Sequence, residues 1–416
     1  MLSTWIYFLI FTSFAGIPCD EKVFLTGVCT HFGQNKGNVQ ANLELIRQAG
    51  ANSIRDEVFW QGVEHQRGQY TIPKNSEYYV TTSLAMGLKP LLSLDYGNSF
   101  YDHGDKPTSE EAIEAYARYA EFVVRHFKGR VSIYEIWNEW DGGVGKTTPG
   151  SPQAYVKLLK VVYPRLKRID PALVVVAGGV SGGAVRGHFL REMLELGALS
   201  AADGLSFHQY IFSSKGNGRT PEALIDNINR VEELVRSYNG DKSFPLYLTE
   251  TGWPTQTGSE GTSPEEAANF LARTIMLSRT LPFLHGVWWY DFQDDGVNPD
   301  RTQDNFGLVR TDLTPKPAFV ALSTVTRWIN EAECFSRLKT ADPAVMGTKF
   351  RIANGQEAMT IWTQGSVSRR ARINGVSAMQ KLGDRSPIPV AGLSGPLDKE
   401  LTDAPIFVTG SKLDFQ

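Results

Sequence analysis

The chain has 416 residues, 42% hydrophobic and 21% charged, with a formal net charge of −3 and a pI near 6.2. That length suits one large domain plus a smaller one. The near-neutral balance, without a Lys/Arg run or a low-complexity tract, argues against a nucleic-acid partner.

The N-terminal stretch MLSTWIYFLIFTSFAGIPCDEK carries an apolar run, Trp5 to Phe11, followed by the small residues Ser13 and Ala15. It reads as a signal segment over residues 1–18, and so predicts a secreted or periplasmic protein with no membrane span. The alternative is a buried first strand. None of the three cysteines, Cys19, Cys29 and Cys334, has metal-ligand spacing with another Cys or a His.

From there short apolar runs alternate with helical patterns. KVFLTGVC (22–29), NSIRDE (52–57), KPLLSLDY (89–96) and VSIYEIWN (131–138) read as the first four strands. LVVVAGG (173–179), GLSFHQY (204–210), FPLYLTE (244–250) and GVWWYDF (286–292) read as the next four. Between them lie amphipathic helices, among them 109–127, opened by a capping-box pattern, and one with Ser151 as N-cap and Pro152 at its first position. A last helix is expected over 317–330. Such β–α alternation with near-continuous apolar strands predicts an α/β fold, a (β/α)8 TIM barrel over residues 19–335. After Asp342 the runs KFRIANG, AMTIWTQG, RRARING, PIPVAG and APIFVTG end in turn residues and lack helical period. They predict a small C-terminal all-β domain over 336–416.

In such a barrel, chemistry sits at the C-terminal strand ends. Those ends carry Arg55–Asp56–Glu57, Asp95–Tyr96, Asn138–Glu139, His208–Gln209–Tyr210, Glu250–Thr251–Gly252–Trp253 and Trp288–Trp289 with Asp291. Of the nine tryptophans, Trp60, Trp137, Trp140, Trp253, Trp288 and Trp289 fall at or beyond strand ends. Flat rings with apolar faces suit sugars. Glu139 and Glu250, at the ends of strands four and seven, face each other across the barrel mouth as a glycosidase needs, one group to protonate the leaving oxygen and one to attack the anomeric carbon. Asp95 and Asp291 read equally as helix caps or ion-pair partners. Glu135 is expected to point inward toward Arg55 or His31.

The motifs EIWNEW, SFHQY, LYLTETGWP and NFGLVRTDLTPKPAF resemble those of clan A glycoside hydrolases. The similarity is greatest to the family thirty-nine-like group of xylosidases, iduronidases and bacterial exopolysaccharide hydrolases. This resemblance implies a retaining hydrolase of O-glycosidic bonds with Glu139 as acid/base and Glu250 as nucleophile. It also implies Asn138 on the 2-hydroxyl, Tyr210 donating to Glu250, Arg55 beside Glu250, His208 lining the pocket, and a strand-eight Trp, Trp288 or Trp289, as its floor. No cofactor or metal is implied; the partner is a carbohydrate and the protein is expected to be a monomer. Trp60, Trp140 and Trp253 on three loops predict several subsites, hence cleavage within a polysaccharide such as a bacterial exopolysaccharide. An exo-acting β-xylosidase-like enzyme is the alternative, and a barrel that binds sugar without cleaving it is the alternative of another class. GGVGKTT (142–148) resembles part of a phosphate loop, but Trp140 stands where its first Gly belongs, and Pro149 and Pro152 delay the helix. Barrel closure would bring Cys19 near Cys334, within reach of a disulfide.

Overall fold

A computed structural model describes residues 24–415, apart from 331, 366, 385 and 391–394. Among the described residues, eight parallel strands close on themselves in chain order. They are β1 Leu25–Cys29, β2 Ser53–Phe59, β3 Lys89–Asp95, β4 Ile133–Ile136, β5 Val174–Val180, β6 Gly204–His208, β7 Leu246–Thr251 and β8 Leu284–Trp289. The barrel closes where β1 pairs β8, with Val28 opposite Trp289. Cys29, Leu91, Ile133, Val176, Tyr247 and Trp288 pack together as the barrel's inner core. The much larger apolar cluster lies between the strands and the surrounding helices.

The expected helices form where their caps put them. Ser109 accepts from the Ala112 amide at 3.2 Å and opens Glu110–His126. Ser151 does the same for Ala154 and opens Pro152–Ile169. The last barrel helix is Pro317–Asn330. No helix among the described residues is long and apolar enough to cross a membrane.

The C-terminal segment forms a separate antiparallel sheet of seven strands among the described residues. These are β9 Ala332–Arg337, β10 Val345–Ile352, β11 Glu357–Thr363, β12 Arg369–Lys381, β13 Ile388–Pro389, β14 Leu397–Leu401 and β15 Ile406–Phe415. The sheet packs on the barrel through apolar contacts: Trp328, on the last barrel helix, stacks on Phe407 with ring centroids 5.6 Å apart and meets Phe350 edge to face at 6.1 Å. Trp362 Nε1 donates to Glu222 Oε1 at 2.8 Å, and Glu222 is also paired with the buried Arg273. Cys334 is disulfide-bonded and Cys29 is a free, buried thiol. Cys19, the expected partner of Cys334, and the expected signal segment lie outside the described residues.

Candidate active site

The exit from β4 sets the site. Trp137 and Glu139 both have positive φ, 70° and 47°, so the chain leaves the strand direction immediately after Ile136. The Glu139 amide donates to Gly179 O at 3.0 Å, tying this turn to the end of β5. Only a small residue fits there: a Cβ on Gly179 would stand 3.3 Å from Trp137 O and 3.4 Å from Glu139 N. The loop beyond is pinned over Tyr96, because Gly145 sits where a Cβ would fall 2.4 Å from that ring.

Across the mouth, Arg55 spends its whole guanidinium on three partners. Nε donates to Glu135 Oε2 at 2.8 Å, Nη1 to Glu250 Oε1 at 2.8 Å and Nη2 to Asn138 Oδ1 at 2.7 Å. Burial opposes the Arg55 charge, but Glu135 and Glu250 more than offset it and hold the group well above its ordinary value. Glu135 points into the barrel as Arg55's partner, as expected, and its other oxygen accepts from Thr249 Oγ1 at 2.9 Å. Tyr210 donates to Glu250 Oε2 at 2.7 Å, so both nucleophile-candidate oxygens are held. His208 Nδ1 lies 2.9 Å from Glu139 Oε1 and 3.5 Å from Glu250 Oε2. Burial would lower the His208 imidazole; Glu250 and Glu139 raise it. Asn138 Nδ2 donates to Tyr96 Oη at 2.7 Å, and Tyr96 to Glu57 Oε1 at 3.2 Å.

Arg55, Glu57, Tyr96, Asn138, Glu139, Tyr210 and Glu250 line a cavity of about 420 Å³, whose wall also includes His31, Phe212, Tyr290, Gln303 and Phe306. His208, expected to line the pocket, is instead fully buried behind Glu139 and Glu250 and touches the cavity only through them. Tyr210, Tyr290 and Phe306 meet edge to face, centroids 5.3–6.0 Å apart. Size and lining suit a small polar ligand with apolar faces.

The structure thus brings Arg55, Asn138, Glu139, His208, Tyr210 and Glu250 together. It does not bring Trp140, Trp253 or Trp289 to the cavity. Trp140 is buried and donates to Ser151 O at 3.1 Å. Trp253 is buried, donates to Arg219 O at 2.8 Å and stacks on Trp289 at 5.6 Å. Trp60 is fully buried too and donates to Glu64 Oε2. The expected strand-eight floor fails by alternation. Trp288 points inward one layer too deep, with Nε1 on Ser53 Oγ at 3.0 Å, and Trp289 points outward. Tyr290, the next residue, reaches the cavity instead. Asp95 is neither cap nor ion-pair partner: it is buried, accepts from Ser93 Oγ and is raised by burial and by Glu57. The phosphate-loop resemblance also dissolves, since Lys106 Nζ bonds Gly142 O and Thr147 Oγ1 and the helix starts only at Pro152.

Reasoning from sequence missed Glu57, Tyr96 and Tyr290 as lining groups. Tyr290 was findable, since it shares its strand face with Trp288. Phe306 comes from a loop with no periodic signal.

A family model described as cellulase, glycosyl hydrolase family 5, matches residues 19–290, more than half of the chain. The chain belongs to this family. The close carboxylate pair fits the retaining chemistry of glycoside hydrolases. A probable glucan endo-1,3-β-glucosidase of Aspergillus niger is 34% identical over 129 residues, 29% of this chain and 25% of that protein. The chain therefore spans about a quarter of the curated relatives it matches. Among solved structures, a family 39 glycoside hydrolase from Bacteroides cellulosilyticus is 28% identical, with a TM-score of 0.77 over 94% of this glycosyl hydrolase and 81% of that chain. A family 39 β-xylosidase from Caulobacter crescentus shares the fold, with a TM-score of 0.65, 17% identity and 95% and 97% coverage.

Proposed function

We propose that this enzyme is a family thirty-nine-like retaining β-glycosidase in which Glu250 is the nucleophile and Glu139 the acid/base. One observation carries the retaining mechanism: a carboxylate oxygen of Glu139, one of Glu250 and a ring nitrogen of His208 lie within 4.8 Å of one another. Inverting enzymes need carboxyl groups roughly 6.5–9.5 Å apart to admit a water; retaining ones hold them at about 5 Å. Glu250 attacks the anomeric carbon as the glycosidic C–O bond breaks, and Glu139 gives its proton to the departing oxygen. Glu139 then takes a proton from water, which displaces Glu250 and releases the sugar. Arg55 and Tyr210 each hold one oxygen of Glu250 and so aim it. The Asn138 amide is placed for the 2-hydroxyl of the sugar being cleaved. Tyr290 and Phe306 offer the apolar faces expected earlier of indoles.

The substrate reading is a β-linked polysaccharide cut within the chain, supported by the endo-glucosidase relatives. Trp60, Trp140 and Trp253 line no subsites, because all three are buried. The compact 420 Å³ cavity favours the second reading, removal of terminal sugars. The Cys334 disulfide supports an exported enzyme. NMR of the first-formed anomer on a β-glucan or aryl β-glycoside tests the mechanism: retention is expected, and inversion removes Glu250 as nucleophile. Product sizing separates the two substrate readings, oligosaccharides against monosaccharide alone.

A further inference from the structure

At the seam between β1 and β8 lies a second cavity, about 230 Å³, which shares Cys29, Thr30 and His31 with the catalytic one. Its wall includes three consecutive-loop carboxylates, Asp291, Asp294 and Asp295, with Lys36. Two of these carboxylates are satisfied. Asp294 Oδ1 takes Lys316 Nζ at 2.6 Å, and Asp295 Oδ1 takes Lys36 Nζ at 2.8 Å and His31 Nδ1 at 3.0 Å. Asp291 is different. It is 1% exposed, and neither carboxylate oxygen has a hydrogen-bond partner. The nearest opposite group, His31 Nδ1, stands 3.8 Å from its Oδ2. A buried carboxylate left so is costly unless a cation or proton joins it.

We infer that His31, Asp291 and Asp295 form a binding site for a divalent transition cation, zinc foremost. One ligand atom from each lies within 4.8 Å of the other two. A zinc ion with bonds of about 2.0–2.2 Å to N and O draws such atoms to roughly 3–4 Å from one another. One imidazole and two carboxylates leave a further position for water, a set that suits zinc better than calcium, which prefers oxygen alone. Lys36 is half exposed and is free to swing into solvent as the metal takes Asp295. The ion takes no part in the glycosidase steps. It joins the loop after β1 to the loop after β8, and Asp291 directly follows Tyr290 in the catalytic wall. The His31 and Tyr290 rings are 5.6 Å apart, so loading the site fixes the sugar-facing tyrosine.

The test titrates chelator-dialysed, full-length protein with zinc chloride by calorimetry, alongside thermal melting. One equivalent is expected, with a higher Tm. Asp291→Asn and Asp295→Asn should each weaken zinc more than about tenfold, since loss of outer-sphere partners alone costs 10–100-fold. Glu250→Gln should leave zinc binding unchanged, which separates this site from the Glu139–His208–Glu250 cluster. Asp295 lies nearer the surface, so Asp295→Asn carries the test if Asp291→Asn fails to fold. No stoichiometric uptake, uptake unchanged in Asp295→Asn, or uptake lost in Glu250→Gln would each overturn the site. None of these outcomes bears on the glycosidase reading.

Discussion

At the scale of single residues, the site turns on one guanidinium. Arg55 meets Glu135, Glu250 and Asn138 with three different nitrogens, a geometry that a lysine ammonium cannot copy. Arg55→Met leaves two buried carboxylates uncompensated and should cost about 3–5 kcal/mol, read by urea unfolding. Arg55→Lys should keep much of that stability and still lose most of kcat, because Glu250 is no longer aimed. Equal losses of kcat and stability in both variants would make Arg55 a purely structural ion-pair partner. The two carboxylates separate by rescue. Glu250→Ala should be nearly inactive and regain turnover with azide, giving an inverted glycosyl azide. Glu139→Ala should keep activity on aryl glycosides whose leaving groups need no proton, with azide giving a retained product. Azide products of the same configuration in both variants would undo the assignment.

At the scale of elements, each of the eight expected strands is present, because apolar runs of strand length between capped helices leave few alternatives. The ends were less legible. Residues 131–138 looked like one strand, yet pairing stops at Ile136 because Trp137 and Glu139 take positive φ. Neither residue type announces that conformation, and such departures concentrate at functional sites. The indoles misled for a related reason. A strand end has an outer face as well as a mouth, and Trp140, Trp253 and Trp289 fill the space between strands and helices. The bulge in β5 gives a test. Gly178 has φ 128°, and a Cβ there would fall 2.2 Å from Ser206 O. Gly178→Ala should destabilise by about 1–3 kcal/mol and lower kcat by shifting the neighbouring Gly179 carbonyl that holds the Glu139 amide. Unchanged kcat at reduced Tm would uncouple the bulge from the acid/base. Helix packing adds a pH test. Glu77, on helix Lys74–Ala85, is lowered to about 2, with Arg130 the main cause and His126 contributing. A depressed carboxylate stabilises above its unfolded value near 4.5, and that contribution is lost as pH falls through about 2. The pair is more than a third exposed, so screening keeps it within about 0.2–1 kcal/mol. Glu77→Gln should flatten that part of the acid-stability curve.

At the scale of the whole molecule, barrel and sheet share one apolar core. The apolar cluster around the barrel runs without a break into Phe335, Phe350, Trp362 and Phe407. Trp362, on β11, is fully buried and its indole N–H reaches Glu222 on helix Pro221–Tyr238. Glu222 in turn holds Arg273, which is 1% exposed on helix Pro264–Ser278. A substitution at Trp362 therefore acts on the sheet and on two barrel helices at once. Trp362→Ala should cost about 3–5 kcal/mol through the cavity it leaves. Trp362→Phe, which keeps most of the packing, should cost nearer the ~1–3 kcal/mol of a lost buried donor. Calorimetry should show one transition in the wild type, and Trp362→Ala should lower it as a unit while activity and far-UV signal melt together. A low-temperature transition that removes the sheet and leaves glycosidase activity intact would instead make the sheet an independent passenger. The shared core and the Trp362–Glu222–Arg273 chain argue against that outcome, because a barrel stripped of its sheet would present Trp328 and the Glu222–Arg273 pair to water.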